Sequence, residues 1–191
     1  TPGGLSANHG NYTLNYTNGT LTVNPATLTL TANAGSRAYG AANPGFTGTV
    51  TGFVNGETAA TALSGTAAFT TNATSTSNVG SYAIDGSGLT ANHGNYVFTQ
   101  AAGNAGALTI TPAALAVSAA NASKTYDGQA FSGGNGVAYS GFVNNETAAS
   151  ALTGTLAYTG NSQGARNAGS YTITPGGLSA NHGNYTLNYT N

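Results

Sequence analysis

The sequence predicts a mainly β protein with one short helix per repeat, built as tandem domains joined head to tail. Three observations lead there: long internal repeats, period-2 segments rich in Thr and β-branched or aromatic residues, and loss of that alternation at one Ala-rich stretch per repeat. GFVNGETAATALSGTAAF from Gly52 recurs as GFVNNETAASALTGTLAY from Gly141, and NVGSYAI from Asn78 recurs as NAGSYTI from Asn167, both shifted by 89. GTLTVNPATLTL from Gly19 matches GALTITPAALAV from Gly106, a shift of 87. TPGGLSANHGNYTLNYTN from Thr1 returns letter for letter from Thr174, and a related SGLTANHGNY begins at Ser87. A unit of 84 to 89 residues is long enough to fold as a domain and far longer than a solenoid repeat. The chain therefore divides into residues 1–24, the C-terminal strands of a preceding repeat; 25–111, a complete repeat; and 112–191, a repeat lacking its last strand.

Each element follows from its local pattern. LTLTA from Leu28 and FTGTV from Phe46 alternate and read as a strand pair. In GETAATALSG the alternation is lost, Glu57, Ala59, Ala60, Ala62 and Leu63 favour helix, and Gly65 is placed to stop it. GTAAFT from Gly65, SYAI from Ser81, NYVFT from Asn95 and ALTI from Ala107 bring the total to six short strands. Asn43-Pro44, Asn55-Gly56 and the Asn-His-Gly-Asn run from Asn92 mark turns. GSGL from Gly86 and SGGNG from Ser132 also read as turns, since neither has the strand-to-helix context of a phosphate loop. A strand pair, a short helix and further strands is the order of a β-grasp-like domain. An immunoglobulin-like β-sandwich is the alternative, and it requires residues 57–63 to be loop or strand. Either way the first and last strands can run parallel, putting the chain ends at opposite poles. The junctions VNPAT at Val23 and ITPAA at Ile110 have no Gly/Ser linker, and Pro restricts the hinge, so the domains form a rod.

Composition narrows the function classes. Only 4% of the 191 residues are charged and the net charge is -1, against about 25% charged in an average domain. Such a chain has no field for nucleic acid or anionic lipid, and no apolar run is long enough to insert in a membrane as a helix. With no Cys there is no disulfide framework and no thiolate chemistry. The start, TPGGLSANHG, has neither a basic nor an apolar leader region, which with the duplicated ends reads as a piece of a longer array.

Tyr39-Gly40 after a first strand, GFVNGETAATALSG, VGSYAI, GNYVF and the closing GALTI resemble, in that order, the tandem MBG repeats of bacterial surface proteins. The second unit, with KTYDG from Lys124, resembles their companion YDG repeats. The resemblance implies a stalk in a large secreted adhesin of the filamentous-haemagglutinin-like kind exported by two-partner secretion. It implies an extracellular location at the bacterial surface, neighbouring repeats of the same chain as partners, and host or matrix glycans met through other regions. The structural motif it points to is Tyr39, Gly40, Tyr126, Asp127, Gly128, Glu57 and Glu146.

Against catalysis, a metal or a cofactor stands the dispersal of reactive groups. His9, His93 and His182 each lie alone in an NHGNY turn, and the carboxylates Glu57, Asp85, Asp127 and Glu146 are spread over two repeats. Glu57 matches Glu146 and Arg37 matches Lys124, whereas Asp85 aligns with Thr174 and Asp127 with Gly40, so no active site repeats. Lys124, the only Lys, is the one candidate for a Lys–Asn isopeptide. The eight sequons, at Asn11, Asn15, Asn18, Asn72, Asn121, Asn145, Asn184 and Asn188, compare with roughly five or six expected by chance. A glycan-binding or self-associating adhesion module is the rival function, with Tyr12, Tyr16, Tyr185 and Tyr189 as the glycan contacts. Glu57 and Glu146 are expected in the first helical turn, near Arg37 and Lys124. Finally, the 174–191 copy ends where the first copy continues through residues 19–23. An unpaired edge is expected in the second unit, and head-to-tail self-association through that strand.

Overall fold

The computed structural model describes residues 2–191. The first unit contains β1 (Ala26–Ala32), β2 (Gly35–Ala38), β3 (Gly48–Thr51), α1 (Ala59–Ala62), β4 (Leu63–Thr70), β5 (Gly80–Tyr82), β6 (Asp85–Ala91), β7 (Tyr96–Gln100) and β8 (Leu108–Thr111). The second contains β9 (Ala113–Ala119), β10 (Val137–Ser140), α2 (Ala148–Ala151), β11 (Leu152–Thr159), β12 (Thr174–Ala180) and β13 (Tyr185–Thr190). The chain is mainly β, as expected.

Period-2 patterning decides which faces are buried. In β1, Leu28 and Leu30 point inward between Thr27, Thr29 and Thr31, and in β8 Leu108 and Ile110 do the same between threonines. β1 lies between antiparallel β3 and parallel β7, while β8 lies between parallel β2 and antiparallel β5. The parallel partner of the first strand is thus β7, and the last strand is paired in parallel with β2. The chain enters the unit at Ala26 beside Tyr96 and leaves it at Thr111, whose carbonyl accepts the Tyr39 amide at 2.8 Å.

Two strands were not legible as such. β2 carries Arg37 at its inward position, buried because its guanidinium donates only to neutral acceptors: Asn43 Oδ1 at 2.6 Å, Ala38 O at 3.2 Å and Thr74 O. β6 contains the GSGL expected to be a turn. It pairs antiparallel with β4, with the register shifting between Gly65 and Ala68. Gly65 and Gly88 both have positive φ at that shift, and a Cβ on either would collide with a carbonyl oxygen of the facing strand. The glycines there make a β-bulge instead of ending the strand. Gly154 and Gly177 repeat it between β11 and β12.

The helix is a single turn. Thr58 N donates to Thr61 Oγ1 at 2.9 Å, Leu63 is already extended, and α2 repeats the arrangement with Thr147 and Ser150. Helix thus occupies part of 57–63, with Glu57 and Thr58 before it and Leu63 already in β4. Glu57 and Glu146 precede the helices, with no acidic residue in either first turn.

The second unit repeats β1, β3, β4, β6 and β7 but lacks counterparts of β2, β5 and β8. In the first unit β2 and β5 bond only to β8, not to each other, and their counterparts at residues 122–125 and 169–171 form no ladder. Residues 2–24 are also without a strand, with Leu21 and Val23 exposed, although Tyr16 OH still donates to Leu5 O as Tyr189 OH does to Leu178 O.

Candidate functional site

Two places concentrate the side chains singled out in the sequence: the junction between the units and a groove at the far side of the second unit. At the junction only Pro112 separates β8 from β9, and the core does not stop there. A buried cluster of Leu30, Tyr39, Ile84, Leu108 and Ile110 continues into Leu115, Leu152 and Tyr185.

Glu146 is the centre of the junction. One of its carboxylate oxygens accepts from Tyr39 OH at 2.9 Å and the other from Tyr185 OH. Tyr185 OH in turn accepts from Val143 N at 3.1 Å, fixing the loop before α2. The two rings meet edge to face with centroids 5.6 Å apart, and Phe142 packs edge-on to Tyr185 from the other side. Around them Asn184 Oδ1 accepts from Val79 N, its Nδ2 donates to Asn78 Oδ1, and Asn144 Nδ2 donates to Ser75 O. Gly40, with φ of 81°, forms the notch that receives Val143, and a Cβ there would collide with that side chain. The Tyr-Gly pair thus has a division of labour: Tyr39 reaches the carboxylate and Gly40 makes room for the neighbouring unit.

Among the described residues Glu146 forms no salt bridge. Burial, reinforced by the hydrogen bond to Glu146, pushes the Tyr185 phenol up to about 12. Burial also raises Tyr39, with Glu146 adding to it. The same local geometry exists at the start of the first unit, where Tyr96 OH donates to Glu57, accepts from Val54 N at 3.1 Å and meets Phe53 edge to face. The Glu57 hydrogen bond raises the Tyr96 phenol. There Tyr96 is buried within its own unit, but no second unit joins it: Val54 is exposed, and Asn95, the counterpart of buried Asn184, is exposed too.

The groove measures about 440 Å³ and lies between residues 122–126 and 167–173, with Phe131 and Ile173 among its lining and Tyr126 and Tyr171 exposed at its sides. Tyr126, the counterpart of buried Tyr39, is 69% exposed against 4%. Lys124 sits on the groove wall, donating to Gln129 O at 2.6 Å and pairing with Asp127 at 2.8 Å. The hydrogen bond from Lys124 holds the Asp127 carboxyl below its ordinary value, and the Gln129 amide adds to that. Asp127 occupies the place of Gly40, and the positive φ moves on to Gly128.

The structure separates the other candidates. Among the described residues neither Glu forms an ion pair with Arg37 or Lys124, and each accepts instead from a tyrosine of its own unit; this corrects the expected ion pairs. Lys124 is directed to Asp127 and Gln129 on the surface, not buried beside an amide and an acid as an isopeptide requires. Each histidine adopts positive φ in its NHG turn, and no three metal-ligating side chains come together among the described residues. Of the glycan candidates, Tyr12 and Tyr16 are exposed on the N-terminal segment, Tyr189 is bonded to Leu178 across β12 and β13, and Tyr185 is buried in the junction. Asn78 and Asn184 were missed as contacts, although both belong to repeated motifs, NVGSY and HGNY, whose recurrence was the available signal.

No curated protein and no solved structure matches the chain. The family of MBG domains, YGX type, matches twice, over residues 28–106 and 115–191, so that one family description takes both units, the YDG-bearing one included. The chain belongs to the MBG domain family, as two tandem copies.

Proposed function

We propose that this chain is a structural stalk segment of a bacterial cell-surface or secreted adhesin, spacing an adhesive region from the cell without catalysis or cofactor. MBG domains occur in surface proteins, and no helix among the described residues is long and apolar enough to cross a membrane. The observation that carries the reading is the junction: one residue of linker, a core shared across the boundary and Glu146 bonded to tyrosines of both units. A spacer transmits length only if its joints resist bending, and a hydrogen-bonded apolar joint does so where a Gly/Ser linker would not.

Small-angle scattering tests this. The expected particle has the length of two units end to end, and Glu146→Ala broadens its distance distribution. A compact particle overturns the stalk reading. The glycan-binding alternative has one observation of its own, the concave groove flanked by exposed Tyr126 and Tyr171. Reproducible binding of one glycan class on an array, abolished by Tyr126→Ala, would establish it instead.

A further inference from the structure

Beside the joint, a cleft of about 350 Å³ opens between the two units, within the roughly 300–1,000 Å³ that ligand pockets span. Neither unit forms it alone. The first unit supplies Tyr39, Thr76 and Asn78, and the second supplies Asn144 and Glu146 from the loop before α2. Asn181 and His182, from the Asn-His-Gly-Asn turn of the second unit, complete the wall. The amides are held from behind. Asn144 Nδ2 donates to Ser75 O at 3.1 Å across the joint, Asn181 Nδ2 donates to Ser150 O at 2.9 Å, and Asn78 Oδ1 accepts from Asn184 Nδ2 at 2.9 Å.

Those bonds leave one end of each amide uncommitted: the Oδ1 of Asn144 and of Asn181, and the Nδ2 of Asn78. Each Glu146 oxygen accepts one phenol and has a lone pair for a second donor. The cleft therefore presents fixed donors and acceptors together, and charge narrows what can use them. Glu146 forms no salt bridge among the described residues, so an anionic ligand is repelled. Of the lining residues only Ala151 has no polar side-chain group, so an apolar ligand would leave the amides desolvated and unpaired. A hard divalent ion takes roughly six to eight oxygens, usually with several carboxylates, and Glu146 is the one carboxylate here. A neutral polyol remains. Its adjacent hydroxyls each donate and accept, which is what amide ends and a carboxylate side by side can satisfy.

We propose that this cleft binds a neutral saccharide, with the hydroxyls of a pyranose ring bonded to the free ends of Asn78, Asn144 and Asn181 and to Glu146, and the His182 ring on the rim. The site is distinct from the groove flanked by Tyr126 and Tyr171, and it goes beyond the stalk reading: the joint that stiffens the rod also carries a lateral sugar site. Because both units contribute walls, the bound sugar favours their docked arrangement.

Backbone amide NMR of the full chain tests this, with EDTA present and with the methyl glycosides of glucose, galactose, mannose, N-acetylglucosamine and N-acetylneuraminic acid as probes. Each is titrated to well above about 1 mM, the weak end of specific association. At least one neutral glycoside is expected to shift the signals of residues 76–78, 144–150 and 181–185 saturably, and the acidic one is not. Thr76→Trp, from an exposed wall position, fills the cleft, and His182→Gly removes the rim ring while keeping the positive φ of the turn unstrained. Each should weaken binding about tenfold or more, the equivalent of losing one or two hydrogen bonds, with an unchanged melting temperature. Tyr126→Ala should leave binding as it was. Should Thr76→Trp fail to fold, His182→Gly and the map of shifted signals still decide. Binding that survives both substitutions, shifts that map to residues 122–126 and 167–173 instead, or preference for the acidic glycoside overturns the proposal. A chain that is extended in solution but binds no neutral glycoside overturns the site and leaves the stalk reading standing.

Discussion

Glu146 couples the units through two phenols, so its removal exposes the joint. Glu146→Ala leaves Tyr39 and Tyr185 without an acceptor and is expected to destabilise the chain by about 1–3 kcal/mol in denaturant titration. Glu57→Ala, which removes the acceptor of one phenol, Tyr96, instead of two, should cost less. The joint is also sensitive to alkali. Tyr185 is neutral when its hydrogen bond to Glu146 forms, and its folded value of about 12 lies above the unfolded value of about 10. Its contribution is therefore complete below pH 10 and is lost as pH rises from 10 toward 12, because a phenolate would face the Glu146 carboxylate. Phenolate absorbance should show a component rising only toward pH 12 that Tyr185→Phe removes.

At the level of elements, the bulge in β4 and β6 explains how a glycine-rich stretch can be a strand. The Cβ space of Gly65 is filled by the Gly88 carbonyl and that of Gly88 by the Thr66 carbonyl, so the two strands approach closely at the bulge. Gly88→Ala combines left-handed strain with a backbone collision and should cost about 1–3 kcal/mol by thermal unfolding, whereas Gly94→Ala, with positive φ but open space, should cost less. The strand content of a unit is likewise a property of partners. Residues 35–38, GSRA, form β2 against β8, whereas their counterparts at 122–125 carry no strand.

For the whole molecule, the shared core makes the two units one cooperative body despite their separate sheets. A single unfolding transition by circular dichroism is expected for the unaltered chain. Gly40→Val fills the notch that receives Val143 and adds strain at positive φ, and it should split the transition into two. One transition persisting in that variant would show that the notch does not carry the coupling.

The repeats, the six alternating strands, the turn histidines and the short helix were all readable from residues, because each rests on a period or a local turn preference. What only the tertiary structure decided was pairing across long separations. Arg37 is buried because Asn43 and Thr74 come to it, and Gly88 lies in a strand because the bulged backbone of β4 at Thr66 packs against it. Glu146 serves the junction because Tyr39 arrives from 107 residues away. Those outcomes depend on which backbone lies opposite, and no local pattern in a single segment encodes its partner.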